Sequence, residues 1–251
     1  MKKAVYLLHG FLSDTNDFSP IMEFLNGQYD HVEMVSYPGH NQEEDYELFN
    51  DKDTINLVVE TFDKLKKQYD VIDVIGYSMG GAIAVYLSNI RIFNKLILLA
   101  PANKYINFRL PFSRLAVLIS RFLGIKNANK ILDQEKVEYY KLITNAIGED
   151  DKESFKFLIE KYFKKYIYGA YRNFRRIIST CNKEITEIKN PTFIAWGSLD
   201  QLVPKSSVEY LYNNCINVKR KLKIYPHLCH LMLNSQFNDE LIQDVKDFIK
   251  E

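Results

Sequence analysis

The chain has 251 residues, of which 47% are hydrophobic, and its 33 basic side chains nearly balance its 32 acidic ones. This length fits one large domain, or a domain with an insertion, and the hydrophobic content argues against disorder. The formal net charge of +1 lacks the basic excess typical of proteins that bind nucleic acid or anionic membranes.

Six short apolar runs, most of them closed by glycine or proline, predict β-strands. They occupy residues 3–8, 32–37, 71–75, 95–99, 192–196 and 220–225. Several runs are almost continuously apolar, as expected for parallel strands that are covered on both faces. The first run follows two lysines, but it is too short for the apolar part of a secretory signal, and no cleavage site follows it.

Helical patterns lie between these strands. Residues 54–69 place apolar side chains at the i, i+3, i+4, i+7 spacing of one buried face. Residues 79–90 and 236–250 are also predicted to be helices. Because strands that alternate with helices indicate βαβ units, we predict an α/β fold with a mostly parallel sheet flanked by helices.

The region 104–185 breaks this alternation, since its sequence contains no convincing strand pattern. Helices are predicted there at about 112–123, 134–147, 152–167 and 170–180. A crossover between strands rarely needs so many residues, so we predict a helical insertion folded over the end of the sheet. The expected domains are a core of residues 1–103 and 186–251 and an insertion of residues 104–185.

The segment Gly76-Tyr77-Ser78-Met79-Gly80 has the pattern G-x-S-x-G between the third strand and a helix. The flanking glycines relieve crowding in a tight turn and leave the Ser78 hydroxyl exposed at the helix N-terminus. The helix dipole there favours negative charge beside the serine. A serine that only caps the helix is the alternative, but the strand before it and the helix after it favour a nucleophile.

A serine nucleophile needs a general base, and the base needs an acid that orients it. In this arrangement the expected chain order is serine, acid, histidine. Asp200 follows the fifth strand closely, and we predict that it is the acid, with a turn or capping role as the alternative. The other aspartates between Ser78 and the last histidine lie in the predicted insertion, at Asp133, Asp150 and Asp151.

Two histidines, His227 and His230, follow Ser78 in the sequence, and both come after the last strand. We predict that His230 is the general base, because the apolar residues after it can pack its loop down. His227 is the alternative, and its other expected role is that of a surface histidine.

Attack on a carbonyl creates an oxyanion that needs two aimed N–H groups. The backbone N–H of Met79, directly after the nucleophile, is one predicted donor. The backbone N–H of Phe11, after the first strand, is the other, and Gly10 lets the chain come close. His9 is expected to shape this loop through hydrogen bonds and to take no part in the chemistry.

The motifs HGF, YPGH, GYSMGG, GSLD and PHLCH, in this order, resemble those of the α/β-hydrolase superfamily, and especially its compact carboxylesterase and monoacylglycerol-lipase-like members. The resemblance covers nearly the whole chain apart from residues 104–185, and it implies that this insertion is a cap over the active site. It also implies a serine hydrolase that cleaves carboxylic esters. Two positions depart from the family pattern, because Asn41 and Cys229 stand where members often carry glycine.

The expected substrate is a small-molecule ester with a medium or longer acyl chain, such as a monoacylglycerol, because residues 104–185 are rich in aliphatic and aromatic side chains that could bury methylenes. A thioesterase or an acyltransferase would use the same three residues. A third alternative is a non-catalytic ligand receptor on the same scaffold.

No cofactor and no metal are expected, since the sequence contains no CxxC, no HExxH and no GxGxxG after a strand. The number of cysteines, three, is low and odd, which argues against a disulfide framework. We therefore expect reduced thiols in a cytoplasmic protein. No apolar stretch in the sequence reaches the 18 or so residues that a membrane span needs. We therefore expect no integral membrane segment and no nucleic-acid partner, and the sequence leaves the oligomeric state open.

Overall fold

The computed structural model describes residues 1–41, 44–104, 166–183, 187–200 and 202–251. The strands in these ranges are β1 (Lys3–Leu8), β2 (His31–Val35), β3 (Val71–Tyr77), β4 (Leu96–Leu99), β5 (Thr192–Gly197) and β6 (Arg220–Tyr225). The α-helices there are α1 (Ser19–Gln28), α2 (Asp51–Lys66), α3 (Met79–Ile90), α4 (Ile167–Lys183), α5 (Lys205–Asn214) and α6 (Asp239–Lys250).

The six strands form one sheet in the order β2-β1-β3-β4-β5-β6, and every neighbouring pair is parallel. Helices α1 and α6 bury their apolar side chains against one face of this sheet, and α2 to α5 bury theirs against the other. The structure confirms the predicted α/β fold with a parallel sheet flanked by helices. The chain leaves β1 toward β2 and returns to place β3 on the other side of β1, and such a reversal opens a crevice at the carboxyl ends of the strands.

Each of the six predicted strands overlaps an observed strand, whereas α1 and α5 were missed by the sequence analysis. Helix α1 buries only Ile21 and Leu25 of its ten residues, and α5 buries Ser207, Val208 and Leu211. Because these apolar faces are so narrow, their sequences lack the broad apolar stripe that predicted α2.

The predicted insertion is described at its C-terminal end, where residues 166–183 include α4. This helix packs on α2 and α3 and buries Ala170, Phe174, Ile177 and Cys181 in the main core. That packing places α4 among the helices that cover the sheet. The predicted helices at 112–123 and 134–147, and nearly all of 152–167, lie outside the described residues.

All three cysteines are buried thiols. Burial raises the pKa of the Cys215 thiol to about 11 and raises the pKa of Cys181 further, so both stay protonated at neutral pH.

Over the ranges that the structure describes, no helix combines the length and the apolar character that a membrane crossing requires.

Candidate active site

Ser78 lies in the sharp turn between β3 and α3, with φ 53° and ψ −113°. A positive φ is uncommon for a residue other than glycine, and such strain persists only where the surroundings impose it. A Cβ on Gly80 would lie 2.0 Å from the carbonyl oxygen of Leu8, and one on Gly76 would lie 2.5 Å from the carbonyl oxygen of Gly80. Gly80 therefore lets the turn pack directly on β1, and Gly76 lets the end of β3 pack on the first turn of α3.

Two backbone hydrogen bonds hold this turn against the segment that follows β4. The Ser78 N–H donates to the carbonyl of Leu99 at 2.9 Å, and the Ala102 N–H donates to the carbonyl of Ser78 at 3.0 Å. The turn is thus tied to both neighbouring strands, β1 and β4. These contacts give the serine a fixed backbone from which its hydroxyl can be aimed.

The side chains of Ser78, His230 and Asp200 form a continuous hydrogen-bonded path. The Oγ of Ser78 lies 2.9 Å from Nε2 of His230, and Nδ1 of His230 lies 2.8 Å from Oδ2 of Asp200. With its proton on Nδ1, the neutral imidazole donates to the carboxylate and accepts from the serine hydroxyl. The Asp200 side chain is fully buried, whereas that of His230 is 13% exposed, so the path runs from the interior toward the surface.

The Asp200 carboxylate is held by its own loop. Its Oδ1 accepts the backbone N–H groups of Leu202 and Val203 at 2.8 and 2.9 Å, which leaves Oδ2 for the histidine. The loop after β5 also touches the histidine loop, because a Cβ on Gly197 would lie 2.1 Å from the carbonyl oxygen of Leu228. This close approach brings acid and base together although they follow different strands.

The structure brings His230 to Ser78 and leaves His227 at the surface. His227 is exposed, and its ring centroid lies 6.4 Å from that of Phe237. Cys229, which stands where family members often carry glycine, is buried beside His230 and does not displace the imidazole from Ser78. The other aspartates between Ser78 and His230, at Asp133, Asp150 and Asp151, lie outside the described residues.

His9 is a structural residue of the loop after β1. Its Nδ1–H donates to the carbonyl of Gly10 at 2.8 Å, and its Nε2 accepts the Tyr37 N–H at 3.3 Å. The Tyr37 hydroxyl donates in turn to the His9 carbonyl at 3.2 Å. Both ring nitrogens of His9 therefore serve to shape the backbone at Gly10 and Phe11.

Both predicted oxyanion donors lie in segments next to Ser78. Met79 is the first residue of α3, a position whose N–H has no intrahelical acceptor. A Cβ on Gly10 would lie 3.3 Å from the Cβ of Ser78, so the chain that carries Phe11 passes beside the serine. The ring centroid of Phe11 lies 4.9 Å from that of Phe174, which connects this loop to α4.

One contact at the site was not anticipated from the sequence. The hydroxyl of Tyr77, the residue before the nucleophile, donates to the carbonyl of His230 at 2.6 Å. The position within G-x-S-x-G could have drawn attention to Tyr77, but its partner lies 153 positions away in the sequence.

Within the ranges described, no group of three or more His, Cys, Asp or Glu side chains is arranged to hold a metal ion.

Comparisons with known proteins agree with this architecture. The family model described as "Serine aminopeptidase, S33" matches residues 1–236. A carboxylesterase of Bacillus subtilis is 22% identical over 254 residues, which cover 99% of this chain and 93% of that protein. A Mycoplasma genitalium protein that carries an esterase/lipase name is 30% identical over 219 residues, or 84% of this chain and 77% of that protein. The solved monoacylglycerol lipase of Paleococcus ferrophilus has a TM-score of 0.66 at 14% identity, with coverage of 98% and 93%.

Proposed function

Because the chain belongs to the serine aminopeptidase S33 family of α/β-hydrolases, we propose that it hydrolyses carboxylic esters with a catalytic triad of Ser78, His230 and Asp200. The chain is an enzyme of esterase/lipase type, like the relatives that it matches. The observation that carries the triad is the path of hydrogen bonds from the Ser78 hydroxyl through His230 to Asp200, at 2.9 and 2.8 Å.

Acylation follows from this geometry. The Nε2 atom of His230 takes the proton of the Ser78 hydroxyl as Oγ attacks the ester carbonyl, and the new imidazolium is stabilised by Asp200. The backbone N–H groups of Phe11 and Met79 are the proposed donors to the oxyanion of the tetrahedral intermediate. His230 then gives its proton to the leaving alkoxide, the C–O bond of the ester breaks, and the acyl group stays on Ser78.

Deacylation repeats these steps with water as the nucleophile. His230 takes a proton from water, the resulting hydroxide attacks the acyl-enzyme, and the proton passes to Oγ as the acid is released. Every proton in this cycle moves through Nε2 of His230. The His230 side chain is 13% exposed, in contrast to the fully buried Asp200 side chain, and this exposure supports access of water to the imidazole.

Asp200→Asn is expected to lower kcat by about 10⁴-fold. The amide can still accept the two backbone N–H groups of Leu202 and Val203 through its oxygen, but its NH₂ group then faces Nδ1 of His230. It therefore favours the wrong tautomer and cannot stabilise the imidazolium. Steady-state hydrolysis of a nitrophenyl ester measures the loss, and thermal melting shows whether the fold is kept. Full activity in a folded Asp200→Asn variant would show that another residue is the acid that orients His230.

We further propose that residues 104–185 include a cap that contacts the acyl chain of the substrate. Residues 105–165 lie outside the described residues, so this proposal rests on composition and on the position of α4. The proposed acyl-binding side chains are Phe108, Leu110, Phe112, Leu115, Phe155, Phe157, Tyr162 and Phe163. At the described end, Phe174 of α4 packs on Phe11, which supports contact between this segment and the oxyanion loop.

The specificity constant kcat/KM is expected to rise with acyl length from acetyl to decanoyl nitrophenyl esters. Each buried methylene contributes about 0.8 kcal/mol, which corresponds to at most about a fourfold gain per carbon until the pocket is full. A flat or falling profile would exclude an acyl pocket and would indicate a small or polar substrate.

The same triad geometry could serve a thioester, and the description of the matched family names an aminopeptidase. A panel of matched oxygen ester, thioester and aminoacyl anilide substrates separates these reactions. We expect the oxygen ester to give the largest kcat/KM, because the relatives that match the chain carry esterase and lipase names. A larger value for the thioester or the anilide would replace the proposed substrate class and would leave the triad unchanged.

A further inference from the structure

Tyr77 is a buried residue at the junction of β3 and the nucleophile turn. Its side chain belongs to the core cluster on the α1 and α6 face of the sheet, together with Leu228 and Met232 from the loop that carries the general base. The hydroxyl is thus enclosed in apolar surroundings, where an unpaired polar group would be costly.

The Tyr77 hydroxyl meets the backbone of the histidine loop at His230 itself. It donates to the His230 carbonyl at 2.6 Å. The two rings lie nearly parallel, with centroids 5.7 Å apart and an interplanar angle of 24°. Tyr77 therefore contacts the base through its hydroxyl and its ring.

The surroundings of Tyr77 favour its neutral form. Burial raises the pKa of Tyr77 well above that of an ordinary phenol, and the nearby negative charge of Asp17 raises it further. The neutral phenol keeps the proton with which it donates to the His230 carbonyl.

We propose that Tyr77 is a positioning residue for the general base. Its contact with the His230 backbone sets the distance between His230 Nε2 and Ser78 Oγ. Tyr77 and Ser78 are consecutive in the chain, so a bond from Tyr77 to the His230 backbone links nucleophile and base through a single peptide unit. Between β6 and α6 the loop that carries His230 has no regular secondary structure, and it needs such long-range bonds to keep its shape. This inference rests on the proposed function, because it assumes that His230 is the base.

The Tyr77→Phe variant removes the hydroxyl and keeps the ring. The His230 carbonyl retains a bond from the Met232 N–H at 2.8 Å, so no backbone group is left without a partner. We expect kcat to fall about 10- to 100-fold, because a displacement of the base by a fraction of an ångström is costly, with KM within about twofold. The second-order rate of inactivation by a fluorophosphonate should fall in parallel, since both reactions need His230 to take the Ser78 proton.

Tyr29→Phe is the matched control. Tyr29 is also buried, and its hydroxyl donates to Asp73 at 2.6 Å. Asp73 lies four residues before Tyr77 on β3, roughly 13 Å away along the strand. We expect both variants to lower Tm by about 2–4 °C, but Tyr29→Phe should keep the wild-type kcat. A structural role for Tyr77 alone would give the two variants the same kinetics.

Measurements of kcat at 15 °C test the inference on four proteins: wild type, Tyr77→Phe, Tyr29→Phe and Ser78→Ala. Loss of kcat in Tyr77→Phe alone among the tyrosine variants supports the inference. A wild-type kcat in Tyr77→Phe, or an equal loss of kcat in Tyr29→Phe, overturns the inference about Tyr77. In either case, an inactive Ser78→Ala variant leaves the proposed function standing. Turnover by Ser78→Ala would instead overturn the proposed function itself.

Discussion

Ser78→Ala is expected to lower ester hydrolysis by at least about 10⁴-fold, because no other group can then form the acyl-enzyme. The fold should be kept, since the Ser78 side chain makes no capping hydrogen bond to α3 and methyl replaces hydroxyl at little steric cost. Turnover of a nitrophenyl ester and covalent labelling by a fluorophosphonate probe both measure the effect. Wild type should label with one probe per chain, and Ser78→Ala should not label.

Ser88→Ala is the control for this experiment. Ser88 lies on α3, the helix that Ser78 precedes, and its hydroxyl donates to the carbonyl of Val85 at 2.7 Å. We expect this variant to keep its labelling and its turnover. Rapid hydrolysis by a folded Ser78→Ala enzyme would show that Ser78 is not the nucleophile. A wild-type protein that neither labels nor turns over would instead support a ligand receptor on this scaffold.

His230→Ala is expected to be as inactive as Ser78→Ala, because nucleophile and base act as one unit. His227→Ala should change kcat/KM by no more than about twofold, as expected for a substitution of an exposed side chain. The two variants remove the same side chain from one loop, three positions apart, so His227→Ala serves as the matched control for His230→Ala. Inactivity of His227→Ala with full activity of His230→Ala would reverse the assignment.

The sequence by itself determined the fold class and the position of the strand–turn–helix segment that carries Ser78. Short runs, most of them closed by glycine or proline, predicted the six strands of the described residues, and the buried strands among them are apolar along their length because both of their faces are covered. The turn at Ser78 could also be predicted, because the G-x-S-x-G pattern stands between a strand and a helix. In the structure the start of α3 crowds Gly76, which is a local contact, whereas β1 crowds Gly80, which is a tertiary one.

Only the tertiary structure decided how the distant parts meet. The sequence favoured His230 over His227 and left His227 as the alternative, and the contact with Ser78 distinguishes the two. The same holds for Tyr77, whose partner lies 153 positions away, and for the packing of α4 on α2 and α3. Such contacts depend on strand order and on the paths of the loops after β5 and β6. Local hydrophobic periodicity carries no information about either, because it records which face of an element is buried and not what covers it.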